Sequence, residues 1–167
     1  ILLDRFNIVK KIYSLSSSDQ DTQRPKAISI LINDLTQIVE RIKPDFIFVI
    51  GDREEAIAGA IVGNYMKKLV IHLGGGETAY GNADDPIRFA ISKLSHLHCC
   101  ISKFSCKKLI ESGEEKFRIF NTGNPAFINI NNTPRITKEK LFDKIGMNNI
   151  YKKYIVLIKH PLSSEKD

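Results

Sequence analysis

The sequence predicts an α/β fold, a Rossmann-like parallel sheet with flanking helices. Three observations carry that expectation. Phe46-Ile47-Phe48-Val49-Ile50 is short enough for a strand and apolar on both faces, as in a parallel sheet covered by helices. Such runs alternate with segments of helical spacing, the pattern of right-handed βαβ units in one sheet. Each strand-like run also ends in a polar or glycine-rich turn, where an open α/β sheet receives its ligands.

Residues 1–13 mix apolar and basic positions and define no element type, and Ser14 to Asp19 is a polar loop. From Pro25 the apolar positions Ala27, Ile28, Leu31, Leu35, Ile38, Val39 and Ile42 follow helical spacing, with Asp21 or Thr22 placed to cap the helix. Lys43-Pro44-Asp45 ends it, and the Phe46–Ile50 strand follows. Gly51-Asp52-Arg53 turns into a helix from about Glu54 to Met66, whose small residues allow close approach to the sheet. Leu69 to Leu73 is the next strand, and Gly74-Gly75-Gly76-Glu77 comes directly after it.

Asp85-Pro86 opens a helix with Ile87, Ala90, Ile91 and Leu94 on one face. His98 to Ile101 reads as a strand, Phe104 to Glu111 as a helix, and Arg118 to Asn121 as a short strand leading to Thr122-Gly123-Asn124-Pro125. Asn129 to Pro134 reads as a linker. It divides a first Rossmann-like domain (1–130, lacking its first strand) from the beginning of a second (131–167). In the latter a helix from Thr137 to Ile145 and a strand from Tyr154 to Ile158 lead into Lys159-His160-Pro161. With no initiator methionine and a stop just past an apolar run, the chain reads as a fragment.

Composition narrows the function. With 43% hydrophobic and 26% charged residues the chain belongs to the globular class. No apolar run approaches the ~20 residues that span a bilayer, and no signal peptide opens the sequence. Three cysteines, two of them adjacent, make no disulfide framework and favour a reducing cytoplasm. The net charge of +6 comes from scattered basic residues that read as solvated helix faces, not as a nucleic-acid surface.

Several polar residues stand where chemistry is expected, each with a plainer explanation beside it. Asp52 follows a buried strand; it is either the cap of the next helix or a carboxylate in the crevice above the sheet. Gly74-Gly75-Gly76 is either a flexible loop or a place where a ligand lies close to the main chain, and it is neither a dinucleotide fingerprint nor a P-loop. Asp85 can cap its helix, which leaves Asp84 unexplained; two adjacent carboxylates in a cleft suit acid/base work. Arg88, one turn on, can fork onto a carboxylate or phosphate, or simply form a surface ion pair. His72, inside a strand, reads as a satisfied core histidine. His160, just beyond a strand, is better placed for function. His96, His98, Cys99, Cys100 and Cys106 fit no zinc spacing, since adjacent cysteines on a strand point to opposite sides.

Together these motifs resemble the UDP-N-acetylglucosamine 2-epimerase family, its hydrolysing branch in particular. The likeness lies in Lys43-Pro44-Asp45 with Gly51-Asp52-Arg53, in Gly75-Gly76-Glu77, and in the block from Asp84-Asp85-Pro86-Ile87-Arg88 through Ser92-Lys93-Leu94-Ser95-His96-Leu97-His98. Gly123-Asn124-Pro125 and His160-Pro161 complete it. It implies a two-domain GT-B-type fold with a nucleotide sugar between the halves; this chain would hold most of the N-terminal half and the start of the second. Gly74 stands where several relatives have Glu.

The resemblance implies a homo-oligomeric cytoplasmic enzyme, when full length, that acts on UDP-N-acetylglucosamine or a 2,4-diacetamido relative without metal or organic cofactor. Asp52, Asp84, Glu77 and His160 would be catalytic, and Arg53, Gly75, Gly76, Asp85 and Arg88 would bind substrate. Elimination of UDP would give a glycal that adds water, yielding N-acetylmannosamine or a related sugar for sialic- or legionaminic-type acids. Rival readings are a non-hydrolysing epimerase, a GT-B glycosyltransferase and a non-catalytic nucleotide-sugar binding fragment. On the likeness, Gly74-Gly75-Gly76 would floor the sugar ring, and Glu77, Asp84 and Asp52 would form its rim.

Overall fold

A computed structural model describes residues 23–78, 85–147 and 155–158 of the chain. Its elements run α1 (Gln23–Ile42), β1 (Phe46–Ile50), α2 (Glu54–Tyr65), β2 (Leu69–Leu73), α3 (Asp85–Leu94), β3 (Leu97–Cys100), α4 (Lys103–Glu111), β4 (Ile119–Asn121), α5 (Ala126–Asn132) and α6 (Lys138–Lys144). The four strands form one parallel sheet in the order β1-β2-β3-β4, so the strand–helix–strand expectation holds.

Helix α1 contains Pro25 in its first turn; its proposed caps, Asp21 and Thr22, lie outside the described residues. It ends where Lys43 adopts a positive φ of 52° just before Pro44, which cannot continue a helix. Helix α2 packs on β1 and β2 through small residues. A Cβ on Gly59 would come within 2.9 Å of Val49, and one on Gly63 within 2.5 Å of Val70, so both glycines set how closely the helix approaches. Beneath it Val49, Ala56, Ile57, Ala60, Val70 and Ile91 form the core.

The sheet's two faces differ. Ile47 and Val49 point into that core, whereas Phe46 (55%), Phe48 (47%) and Ile50 (63%) remain exposed. Register carries the exposed side across the sheet, since Phe46 pairs with Leu69 and Cys99 with Phe120. The expectation that β1 is covered on both faces is therefore corrected for the described residues. An apolar run shows that both faces are hydrophobic, not that both are covered.

Two further expectations change. The proposed linker is partly helical, since α5 includes Asn129–Asn132. Ile155–Ile158, read as a strand, carry no strand structure and are exposed. A strand exists only through ladder partners, and these four residues have none among the described residues.

Candidate active site at the carboxyl ends of the strands

The first residues beyond β1, β2 and β4 are each tied to the carboxyl end of a neighbouring strand. Gly51 N–H donates to the Leu73 carbonyl at 2.9 Å, Gly74 N–H to Cys99 at 3.1 Å, and Thr122 N–H to Cys100 at 2.9 Å. Polar residues directly beyond the strands are thereby held side by side.

Asp52 does not cap α2. The cap position falls one residue later, on Arg53, which makes no side-chain cap bond. Glu54 occupies the first turn instead, buried, with its carboxylate at the positive end of the helix dipole and bonded by Arg24 of α1. Burial alone would raise its pKa, but its own backbone N–H and Arg24 outweigh that and hold it below the usual range. Released from capping, Asp52 accepts a hydrogen bond from Arg88 Nη2 of α3, both side chains being largely buried. Arg88 Nε is buried and has no hydrogen-bond partner among the described residues.

His72 lies beneath this pair, fully buried on β2 as the sequence implied. Its Nε2 is 2.8 Å from the Gly51 carbonyl oxygen and its Nδ1 is 3.1 Å from Ser92 Oγ. Burial pushes its pKa down to about 4, with the Gly51 bond partly opposing. Ser92 Oγ in turn lies 3.1 Å from the Arg88 carbonyl.

The glycine loop is packed against protein on two of its three members. A Cβ on Gly75 would meet Ser92 Oγ at 2.8 Å and His72 Nδ1 at 2.9 Å. One on Gly76, at φ 76°, would meet the Ser105 carbonyl oxygen at 2.2 Å. At Gly74 the nearest atoms are 3.8 Å away, in the Gly51 backbone; its φ of 86° is what favours glycine there. Glu77 is bound by α4, accepting from Ser105 Oγ at 3.0 Å, while Ser105 also contacts the capping Ser102 at 2.6 Å.

The structure thus brings Asp52 and Arg88 into direct contact and seats Gly75 over His72 and Ser92. Asp85 opens α3. Arg53 is 71% exposed, with Nε 3.5 Å from Glu54. Asp84 and His160 lie outside the described residues. Sequence reasoning missed Ser92 and Ser105, although Ser92 carried a signal. It is a hydroxyl four residues after Arg88, beside Ile91 on the buried side of its helix.

Among the described residues no three His, Cys, Asp or Glu side chains gather as a metal site. Cys100 makes a poor nucleophile, because burial and the neighbouring Cys106 thiol push its pKa up to about 12. Away from the site, buried Glu114 gathers Lys93 (2.7 Å), Arg118 (2.9 Å) and His98 Nε2 (3.3 Å).

The family described as UDP-N-acetylglucosamine 2-epimerase matches residues 1–167. A "GDP/UDP-N,N'-diacetylbacillosamine 2-epimerase (hydrolyzing)" from Campylobacter jejuni is 35% identical over 158 residues, 95% of this chain and 41% of the relative. A "UDP-N,N'-diacetylbacillosamine 2-epimerase (hydrolyzing)" from Legionella pneumophila is 34% identical over 167 residues, 100% of this chain and 44% of the relative. The chain thus spans about two fifths of the length of these curated relatives. A crystal structure of a UDP-N-acetylglucosamine 2-epimerase superposes with a TM-score of 0.68 at 24% identity, covering 80% of this chain and 38% of that one. The UDP-GlcNAc 2-epimerase of Neisseria meningitidis, bound to UDP-GlcNAc, gives 0.62 at 22%, covering 77% and 36%. At these identities the two structures establish the fold alone.

Proposed function

Because this chain belongs to the UDP-N-acetylglucosamine 2-epimerase family, we propose that it supplies one wall of the active site of a hydrolysing nucleotide-sugar 2-epimerase. The observation that carries the reading is the Asp52–Arg88 pair at the carboxyl ends of the strands. A carboxylate held in a fixed direction beside a sugar ring is the group needed to move a proton on carbon.

The C2 proton of a 2-acetamido sugar is poorly acidic until the C1–O bond to the diphosphate breaks. As that bond breaks, positive character at C1 acidifies C2. A carboxylate takes the C2 proton, the C2–H electron pair becomes the C1=C2 bond, and the nucleoside diphosphate leaves with the C1–O pair. Water then adds its oxygen to C1, and C2 regains a proton from the opposite face. Asp52 and Asp84 are assigned these proton transfers. Glu77 is a weaker third candidate, since Ser105 engages its carboxylate. His160 would act from the second domain. Arg53, Gly75, Gly76, Asp85 and Arg88 are assigned to substrate binding, with cationic groups stabilising the departing diphosphate.

Two relatives named as hydrolysing 2-epimerases of a diacetamido nucleotide sugar support that substrate class, and a third, named as a UDP-N-acetylglucosamine 2-epimerase, keeps that sugar beside it. The free thiols of Cys99, Cys100 and Cys106 support a reducing, cytoplasmic setting. The test is product analysis by NMR with the full-length protein and each nucleotide sugar. Free 2-epimerised sugar plus UDP supports the reading, whereas an epimerised UDP-sugar identifies the non-hydrolysing reaction. Asp52→Asn should nearly abolish turnover in a folded protein, and retained activity overturns its assignment.

A further inference from the structure

We infer that His72 is a positioning residue, anchoring from below both segments that carry the Asp52–Arg88 pair. The inference rests on the reading of that pair as the reactive site, but its structural content stands on hydrogen-bond chemistry alone.

The Gly51 carbonyl oxygen can only accept, so His72 Nε2, 2.8 Å away, carries the ring proton. Nδ1 is then an acceptor, and Ser92 must donate to it across 3.1 Å. The direction of the chain is fixed as Ser92 to His72 to Gly51. A hydroxyl has one proton, so the 3.1 Å approach of Ser92 Oγ to the Arg88 carbonyl is an alternative rotamer and not a simultaneous bond.

This anchor has a particular task. The Gly51 carbonyl belongs to the peptide unit whose nitrogen is that of Asp52. Gly51 adopts φ 76°, and nothing lies within 4 Å of where its Cβ would be, so glycine is present for conformation and not for space. A peptide following a glycine rotates easily. The imidazole N–H prevents this and so sets where Asp52 stands. At its other end the ring meets α3 one turn beyond Arg88, through Ser92. Gly75 closes the arrangement, for any side chain there would strike both ring and hydroxyl. A neutral imidazole suits the role, and burial keeps this one neutral.

Two substitutions separate the ring nitrogens. Gln places its amide N–H near the Nε2 position and can still reach Gly51, whereas Asn places its group near Nδ1 and reaches only Ser92. In the full-length protein, with UDP-N-acetylglucosamine and UDP-N,N'-diacetylbacillosamine as probes, His72→Asn should lower kcat about 10²-fold, the usual effect of misplacing a reacting group by about 1 Å. His72→Gln should stay within about tenfold of the parent, Ser92→Ala should fall between them, and KM should change little in all three.

Equal kcat for the folded Asn and Gln variants overturns the inference, as does loss that merely follows a lowered melting temperature. If His72→Asn fails to fold, Ser92→Ala decides, and parent-like kcat there is equally fatal. The imidazole 15N spectrum gives a readout independent of turnover. A neutral Nε2–H ring is expected at pH 7, and an Nδ1–H ring or an imidazolium refutes the anchor. Should the parent act on neither sugar, the functional reading fails while this spectrum still tests His72.

Discussion

Arg88 of α3 donates to Asp52 across the carboxyl end of the sheet, joining residues 36 positions apart in the chain. Neither residue is held by the other alone. Asp52 rides on a glycine turn and Arg88 on a helix, and both supports touch His72. The direct contact matters because a guanidinium is planar and directs its donors in fixed directions, while an ammonium does not. Arg88→Lys in the full-length protein should therefore keep the charge and the fold yet lower turnover by about 10- to 100-fold. Steady-state kinetics with circular dichroism as a control checks this, and parent-like kcat would show that charge alone suffices.

Gly76→Ala should be among the most damaging small substitutions in the chain. The added carbon would sit 2.2 Å from the Ser105 carbonyl oxygen, at a φ of 76° that side chains seldom adopt. Backbone, not a yielding side chain, is in the way, so we expect a loss of about 3 kcal/mol or more. Gly123→Ala has a similar φ of 78° but nothing within 4 Å, and should cost only about 1–2 kcal/mol. Urea unfolding of the two variants compares them directly; equal losses would show that the contact with α4 is unimportant.

Acid should destabilise the protein in two stages. His72 has a folded pKa of about 4 against 6.5 unfolded, and burial lowers that of His98 too. Above pH 6.5 both states are neutral at these rings and stability is at its full value. As pH falls below 6.5 the unfolded chain takes up protons that the folded one refuses, and stability declines until the folded pKa is reached. For His72 the interval is worth about 3 kcal/mol. Glu54 and Glu114, whose folded pKa values are lowered, add their loss only as pH drops below about 4.5. The urea midpoint should thus fall between pH 6.5 and 4, and His72→Gln should flatten that limb. A midpoint constant from pH 7 to 5 would contradict the buried neutral ring.

Glu114→Ala should be destabilising without touching the reaction. Burial alone would raise this carboxyl, but the Lys93 hydrogen bond and the positive charges of Lys93 and Arg118 hold it below the usual range. Removing it leaves Lys93 and Arg118 without their shared anion, but both reach solvent, so the loss expected is about 1–3 kcal/mol, that of a charged hydrogen-bond partner. Unfolding measurements should show that loss while kcat per folded molecule stays at the parent value. A change below about 1 kcal/mol would mean that water replaces the carboxylate.

The fold was legible because its signals are local. Apolar runs such as Phe46–Ile50, the small residues of α2 and Pro25 in the first turn of α1 act within a few positions. The helix after β1 starts at Glu54, where its pattern placed it, but whether Asp52 caps it or faces the crevice stayed open, because a single-residue cap position lies below what local pattern resolves. With the cap position on Arg53, the Asp52 carboxylate is left for Arg88, 36 residues away, a pairing no local pattern reveals. The roles of Ser92 and Ser105 were not legible, because their partners His72 and Glu77 lie 20 and 28 residues away. Gly75 and Gly76 looked like open floor for a ligand, and packing supplies another reason for them. Each is glycine because a neighbouring element already fills the space.

The sheet face that the described residues leave open bears on how copies of this chain would meet in solution. Among the described residues Phe46, Phe48 and Ile50 are exposed apolar side chains on an edge strand, while the net charge of +6 repels at long range. The two forces answer to salt in opposite ways. Repulsion is screened within about 8 Å at physiological ionic strength, whereas excluded salts such as sulfate strengthen the apolar attraction. The colloidal stability of the chain on its own should therefore collapse faster with sulfate than with chloride at equal ionic strength, and Phe48→Lys should recover much of it. Static light scattering would record this as a second virial coefficient that changes sign at moderate sulfate concentration.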